Sequence, residues 1–434
     1  MESTLKVATY TLGCKVNQYD TESLLSRLGK VIPISVENFR QVVDIYIINT
    51  CTVTHVSDKK SNKIIRRARR LNPSALVAVC GCMVKSTPES PSKSGADFVF
   101  DAREPENFIE YVQKHFSDFL KTFHKHSKIS KSPETPSSII ELSNKRTRSF
   151  IKIQDGCNRF CSYCIIPYVR GESKSRYIKE ILEEAHALVA AGTLEIVITG
   201  IQVASFGEDT REKLSDVITQ LSNIENLQRL RLSSIDPWAI DGGFIEAVMN
   251  SPILCNHFHL SLQSGCDATL ERMNRRYTID EYICAASSLM AICPDAALTT
   301  DIIVGFPGET DEDFQQSMEI VHGLRFAQVH VFEYSPRKGT AAATFPNQVS
   351  DKIKSERGEE MRQLAKELRE NFLQMQVGKV VPVLFETRKQ NGLWTGFTSN
   401  YCPVETINNE DLTNTIQVVE ITGCTQETLQ ARLS

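Results

Sequence analysis

Three cysteines within eight residues, in the run Cys157-Asn158-Arg159-Phe160-Cys161-Ser162-Tyr163-Cys164, constrain this chain more than any other stretch. Intervals of three and two residues let thiolates on one loop converge on a single soft iron–sulfur centre, with aromatic and aliphatic neighbours as shielding. Three ligands for a four-iron cube leave one iron open to a chelating small molecule, a catalytic arrangement more than a structural one. Zinc is the nearest rival, but structural zinc takes four ligands, usually from two Cys-x-x-Cys knuckles. No fourth Cys or His follows nearby. The bland alternative, three buried cysteines in a core strand, fits poorly with such density.

A length of 434 residues suits about three domains and a large core without covalent staples. Thirteen cysteines, an odd number, read as reduced thiols in the cytosol and not as a secreted disulfide framework. Met1–Lys6 lacks the apolar run of a signal peptide and no span is long enough for a bilayer, so a cytoplasmic protein with no membrane partner is expected. The net charge of −4 on its own argues against a generic nucleic-acid binder, yet Lys59–Arg70 holds seven basic residues and no acidic one. Lys59, Lys63, Arg66 and Arg70 fall on one helical face, opposite Ile64, Ile65, Ala68 and Leu71. That is a local basic face on an otherwise acidic protein, of a kind that suits phosphates.

Along the chain, Leu5–Thr11, Val42–Asn49, Ala75–Cys80 and Asp97–Phe100 read as strands separated by helices, which predicts an open parallel α/β domain over residues 1–120. A helix is expected over Asp20–Leu28, capped by Asp20 or Thr21. Cys14, Cys51 and Cys82 follow the carboxyl ends of three successive strands, where open α/β sheets gather ligands. Each alone is more often a core filler than a ligand. Residues 121–148 read as a linker. Residues 149–376 alternate strands and helices through six β/α units, which suits a partial parallel barrel with its chemistry at the strand ends. The long amphipathic helix from Asp351 to about Val377 leads into residues 377–434, whose short apolar stretches suit a small antiparallel β-barrel.

The Cys157–Cys164 octet is similar to the Cys-x-x-x-Cys-x-aromatic-Cys motif of radical S-adenosylmethionine (SAM) enzymes. Thr11–Glu22, Asn49–Val53 and Gly81–Cys82 resemble the three N-terminal motifs of the methylthiotransferases within that superfamily. Met83–Val84–Lys85 departs from the family pattern after Gly-Cys, which leaves Cys80 as a competitor to Cys82. The resemblance implies two 4Fe–4S clusters, one on Cys157, Cys161 and Cys164 that chelates SAM, and an auxiliary one on Cys14, Cys51 and Cys82. It further implies SAM contacts at Thr199, Gly200, Ser261, Gln263, Ile303, Gly305 and Tyr334, and a TRAM-like RNA-binding module at the C-terminus. Arg275 and Arg276, in the shared Met273–Thr278 run, would meet phosphate or a substrate carboxylate, with a surface ion pair as the alternative fate.

Chemically, the resemblance implies a 5′-deoxyadenosyl radical, generated with an electron from a donor such as flavodoxin or ferredoxin, and a methylthioether on carbon 2 of a base. Such a carbon is beyond acid–base side chains, so a cofactor does the hard step. The Lys15–Tyr19, Cys266–Asp267 and Arg275–Tyr277 contexts look most like the branch acting on N6-threonylcarbamoyladenosine at position 37, in the tRNA anticodon stem-loop. Alternatives are N6-isopentenyladenosine in tRNA, an aspartate of a ribosomal protein, and, further off, a non-catalytic iron–sulfur RNA-binding protein.

Overall fold

A computed structural model describes residues 4–117 and 147–433. The chain forms two compact units: Met1–Lys145 with Cys164–Glu172, and Arg146–Tyr163 with Ser173–Ser434.

In the first unit the strands are β1 (Leu5–Thr11), β2 (Ile34–Glu37), β3 (Ile45–Thr50), β4 (Leu76–Gly81) and β5 (Phe98–Val99). They form one parallel sheet in the order β2-β1-β3-β4-β5. Its helices are α1 (Lys15–Val31), α2 (His55–Leu71), α3 (Cys82–Ser86), α4 (Glu89–Lys93), α5 (Glu106–His115) and α6 (Ile166–Arg170). A parallel sheet is buried on both faces, and the strand alternation shows it. Ile45, Ile47 and Cys80 pack with Leu24, Leu28 and Phe108, whereas Tyr46, Ile48 and Val79 pack with Ile64, Ile65 and Ala68. The edge strand β2, half-buried throughout, carries too weak a pattern to be expected from sequence.

One helix boundary differs from expectation. α1 begins directly after Cys14, not at Asp20 or Thr21, and neither residue caps it. Both lie inside the helix and are buried: Thr21 Oγ1 donates to Asn17 O (2.9 Å), and Asp20 pairs with Arg170. An aspartate claimed by a buried guanidinium cannot also serve a helix terminus.

In the second unit, β6 (Arg148–Asp155), β8 (Glu195–Gly200) and β9 (Arg229–Leu232) run parallel, with β7 (Lys174–Ser175) antiparallel on the edge. β10 (His257–His259), β11 (Ala297–Val304) and β12 (Gln328–Glu333) form a second parallel sheet. Parallel bridges Leu230↔Leu254 and Ile235↔Leu260 carry β9 onto the β10 side, so six parallel strands make a partial barrel. Between them run α7 (Ile178–Ala190), α8 (Leu214–Ser222), α9 (Gly242–Met249), α10 (Asp267–Arg272), α11 (Ile279–Ile292) and α12 (Asp311–Leu324). α11 and α12 both open on capping boxes, at Thr278/Glu281 and Thr310/Asp313.

The long helix α13 (Asp351–Gln374), capped by Ser350, leads to β13 (Val380–Arg388), β14 (Leu393–Thr398), β15 (Pro403–Ile407), β16 (Thr415–Cys424) and β17 (Leu429–Leu433). These close into a five-stranded barrel in the order β13-β14-β15-β17-β16. The barrel is joined to the parallel strands by buried charge. Arg229 donates to Phe397 O (2.8 Å) and Pro382 O (2.7 Å), and Arg231 donates to Ser399 O (2.9 Å) and to Glu195 Oε1 (2.7 Å). The 121–148 linker lies outside the described residues except for its end, where Arg148 opens β6 and pairs with Glu386 (2.7 Å). Among the described residues no helix is long and apolar enough to cross a membrane.

Candidate metal centres and active site

The carboxyl ends of β1, β3 and β4 are held in register by backbone and side-chain bonds. Leu12 N donates to Asn49 O (2.8 Å), and Asn17 Nδ2 donates to Leu12 O (2.7 Å) and Thr50 O (3.1 Å). Thr50 Oγ1 donates to Cys80 O (2.6 Å). Just past these ends stand Cys14, Cys51 and Cys82, and their thiols are electrostatic neighbours: Cys14 acts on Cys51, and both act on Cys82.

Two glycines make the approach. At Gly13 (φ +101°) an added Cβ would sit 2.9 Å from Asn17 Nδ2 and 3.3 Å from Cys51 Sγ. At Gly81 (φ +93°) it would overlap Asn49 Oδ1 at 2.3 Å and Thr50 O at 2.4 Å, so only glycine lets β4 turn into α3 there.

Cys82 packs with Ile165 and Val169. Burial pushes its thiol up to about 11, although the Arg170 guanidinium pulls the other way and bonds to it. Burial also raises Cys51. Buried thiols are poor free thiolates and gain most from a cation. Cys80 faces elsewhere: it is fully buried, raised well above the usual thiol range by burial, and packed with Ile45, Ile47 and Leu24. The arrangement of Cys14, Cys51 and Cys82 around small residues, with a cation alongside, fits a three-thiolate iron–sulfur ligand set.

Arg170 is the residue that sequence reasoning missed. It is 5% exposed, and its guanidinium donates to Asp20 Oδ2 (2.9 Å) and to Asn17 Oδ1. Arg103 in turn donates to Arg170 O. Nothing in the local sequence marks an arginine whose partners stand 150 residues earlier.

The octet itself begins beyond β6. Arg159 N lies 3.4 Å from Cys157 Sγ, and Arg275 Nη1 lies 3.6 Å from Cys161 Sγ, both donating toward sulfur. Such hydrogen bonds stabilise a thiolate-bound cluster and tune its potential. The loop is clamped on both sides: Ser162 N donates to Met273 O (2.9 Å), Ser162 Oγ to Arg272 O (2.7 Å), and Ala342 N to Ser162 O (2.8 Å). Cys164 packs within the first unit and Cys157 and Cys161 within the second. Arg275 keeps only 6% of its side chain exposed. It is buried, paired with Asp236, and stands over Tyr277 at 4.9 Å. Arg276, next along, is exposed.

The expected SAM contacts gather at the carboxyl ends of the parallel strands. Thr199 and Gly200 end β8, and a Cβ at Gly200 would stand 3.1 Å from Gln154 O. Ser261 O accepts from Tyr277 (2.8 Å), and Gln263 (φ +67°) bridges β11, donating its N–H to Asp301 O (2.8 Å). Ile303, Tyr334, Phe306, Met273, Ala342 and Tyr163 form one apolar cluster. Gly305 (φ +69°) lets Lys354 come close, since a Cβ there would sit 2.4 Å from Lys354 Cγ. Tyr334 is 4% exposed, pushed up to about 12 by burial, and its hydroxyl finds no hydrogen-bond partner among the described residues. An orphaned buried phenol at the strand ends is what a missing polar ligand such as SAM would leave.

On α2, Lys59, Lys63, Arg66 and Arg70 are all exposed, and none makes an ion pair among the described residues. Arg69, by contrast, is spent on structure, donating to Ala75 O (3.0 Å) and Gly95 O (3.1 Å) and pairing with Asp97.

A partial parallel barrel with a three-cysteine loop after its first strand is the architecture of a radical SAM enzyme, and residues 151–321 match the Radical SAM superfamily model. Such an enzyme uses a 4Fe–4S cluster and SAM. Residues 6–101 match the model described as "Uncharacterized protein family UPF0004". In fold the chain is similar to the radical SAM methyltransferase TsrM from Kitasatospora setae, with a TM-score of 0.56 at 14% identity, covering 79% of this chain and 77% of that one.

Sequence relatives are nearer. The threonylcarbamoyladenosine tRNA methylthiotransferase MtaB of Bacillus subtilis is 36% identical over 96% of this chain and 93% of its own. That of Thermotoga maritima is 34% identical, over 92% and 91%. The tRNA-2-methylthio-N(6)-dimethylallyladenosine synthase of Lachnoclostridium phytofermentans is 32% identical, over 95% and 92%. The chain belongs to the radical SAM tRNA methylthiotransferase family.

Proposed function

We propose that this enzyme methylthiolates carbon 2 of N6-threonylcarbamoyladenosine at position 37 of tRNA, giving the 2-methylthio product. The observation that carries a thiolation reading is the meeting of Cys14, Cys51 and Cys82 at three adjacent strand ends, each within electrostatic reach of another. In this reading they hold an auxiliary 4Fe–4S cluster, while Cys157, Cys161 and Cys164 hold the cluster that chelates SAM. When bound, the two clusters and SAM supply one-electron and sulfur chemistry that acid–base side chains lack.

The chain's own residues bind, orient and exclude water. Thr199, Gly200, Ser261, Gln263, Ile303 and Gly305 line the SAM position, with the Tyr334 hydroxyl supplying a hydrogen bond that it lacks among the described residues. Arg159 and Arg275 hold sulfurs of the loop by donating to them. Lys59, Lys63, Arg66 and Arg70 meet tRNA phosphates, and a modified base in the anticodon loop can be splayed into a pocket as helical bases cannot. The electron comes from a low-potential donor of the flavodoxin or ferredoxin kind.

The threonylcarbamoyl substrate is favoured by relatives that carry that name at 36% and 34% identity. The dimethylallyl substrate is the second reading, on relatives at 32–33%. Nucleoside mass spectrometry of tRNA from a strain lacking the protein decides between them. Loss of 2-methylthio-threonylcarbamoyladenosine, restored by the intact chain and not by Cys51→Ala, is the expected result. Unchanged levels of that nucleoside would refute the reading.

A further inference from the structure

One polar cluster in the partial barrel is used by none of the roles above. His259 on β10, Asp301 on β11 and His330 on β12 bring one donor atom each to within 4.8 Å of one another. His259 Nδ1 is tied to Thr299 Oγ1 (3.0 Å), which also reaches His257 Nε2 (3.2 Å), so the ring is held in place. Its Nε2 lies 3.3 Å from Asp301 Oδ2 yet is buried and too poorly aligned for a hydrogen bond. The His330 ring stands with its centroid 5.9 Å from that of His259, and partial desolvation lowers its pKa, with the Asp301 carboxylate pulling the other way. Asp301 and His330 are register partners, and two residues onward the same strands pair Ile303 with Phe332. These positions share the face of β11 and β12 that carries Ile303, one pair deeper along the strands. β12 is the last strand of the run, and its His330 and Phe332 are exposed, so this face is reachable from solvent.

We infer that His259, Asp301 and His330 form the subsite for the substituent on N6 of the substrate adenine, and that they select a polar, anionic one. This rests on the proposed function and deepens it. A threonylcarbamoyl group offers a carboxylate and carbonyl oxygens to the imidazole N–H groups, and a hydroxyl and ureido N–H to Asp301. A dimethylallyl group offers none of these, and would set hydrocarbon against the half-buried His259 and Asp301 without pairing them. A site built to hydrogen-bond its substrate rejects the analogue that cannot reciprocate far more strongly than an apolar pocket rejects a polar isostere. Phe332 and Ile303 supply flat apolar contact beside this cluster.

The test uses the full-length enzyme with its clusters restored anaerobically, and anticodon stem-loops carrying threonylcarbamoyl-adenosine, isopentenyl-adenosine or plain adenosine. Binding is read by fluorescence anisotropy, and KM and kcat are measured separately. His330→Leu is the main variant because the residue is exposed on an edge strand; Asp301→Asn is the second, keeping shape while removing charge. The inference expects either variant to weaken binding of the threonylcarbamoyl loop by about tenfold or more, mainly in KM, and to leave plain adenosine unchanged. If the wild type acts on the threonylcarbamoyl loop and both variants keep its preference, this inference falls while the proposed function stands. If the wild type acts on the isopentenyl loop instead, the proposed function falls and the subsite with it. Two imidazoles and a carboxylate also suit a divalent transition metal. A stoichiometric metal beyond the cluster iron, lost in His330→Leu, would overturn the inference.

Discussion

Replacing Arg170 with Met should unfold the N-terminal sheet far more readily than its position on a five-residue helix suggests. The guanidinium is 5% exposed and Asp20 is 2% exposed, with 2.9 Å between them. Removing one partner of a buried pair strands the other charge, which costs about 3–5 kcal/mol. Asn17 loses a bond as well, and it is the side chain that ties β1 to β3. Asp20→Asn combined with Arg170→Met leaves no bare charge and should recover part of the loss, so the double variant is more stable than Arg170→Met alone. Both tryptophans, Trp238 and Trp394, lie in the other unit, so their fluorescence does not report on this one. Hydrogen-exchange protection of Ile45–Thr50 across a urea series does. A loss below about 1 kcal/mol in Arg170→Met, or a double variant less stable than the single, would refute the electrostatic account.

Gly81→Ala forces a Cβ to within 2.3–2.6 Å of Asn49 and the Thr50 backbone at a φ of +93°, so iron retained per chain after anaerobic reconstitution should fall while SAM cleavage persists. Alanine at Lys59, Lys63, Arg66 and Arg70 together should reduce the salt slope of tRNA binding by about three to four, measured as log K against log salt concentration. Asp101 would be raised by burial, but hydrogen bonds from Arg103 and Lys85 hold it well below the usual carboxylate range. A depressed folded value contributes stability above the unfolded value of about 4, lost as pH falls toward the folded one. Asp101→Asn should therefore be less stable than wild type at pH 7, with the gap in urea midpoint closing in acid.

Sequence reading reached the features that repeat or cluster locally. Apolar strands alternating with helices announce parallel sheets, because both faces must be covered, and the cysteines past Thr11, Thr50 and Gly81 follow from where such strands end. What it could not reach were pairings set by tertiary closure. Asp20 looks like a helix cap until Arg170 arrives from far along the chain, and Arg275 looks like a surface cation until Asp236 and Cys161 surround it. His259, Asp301 and His330 sit in three ordinary strand patterns, and only the register of β10, β11 and β12 brings them together. In the terminal barrel, β15 and β17 escaped notice because Pro403–Ile407 and Leu429–Leu433 are short and half polar.

The ionic floor shared by Glu195, Arg229 and Arg231 makes the last five strands inseparable from the barrel that precedes them. Cutting the chain after α13 would strip Arg229 of both its carbonyl acceptors and Arg231 of the one at Ser399, leaving cations open to water where backbone oxygens had enclosed them. Loss of turnover on deleting this region could therefore not by itself be assigned to lost tRNA grip.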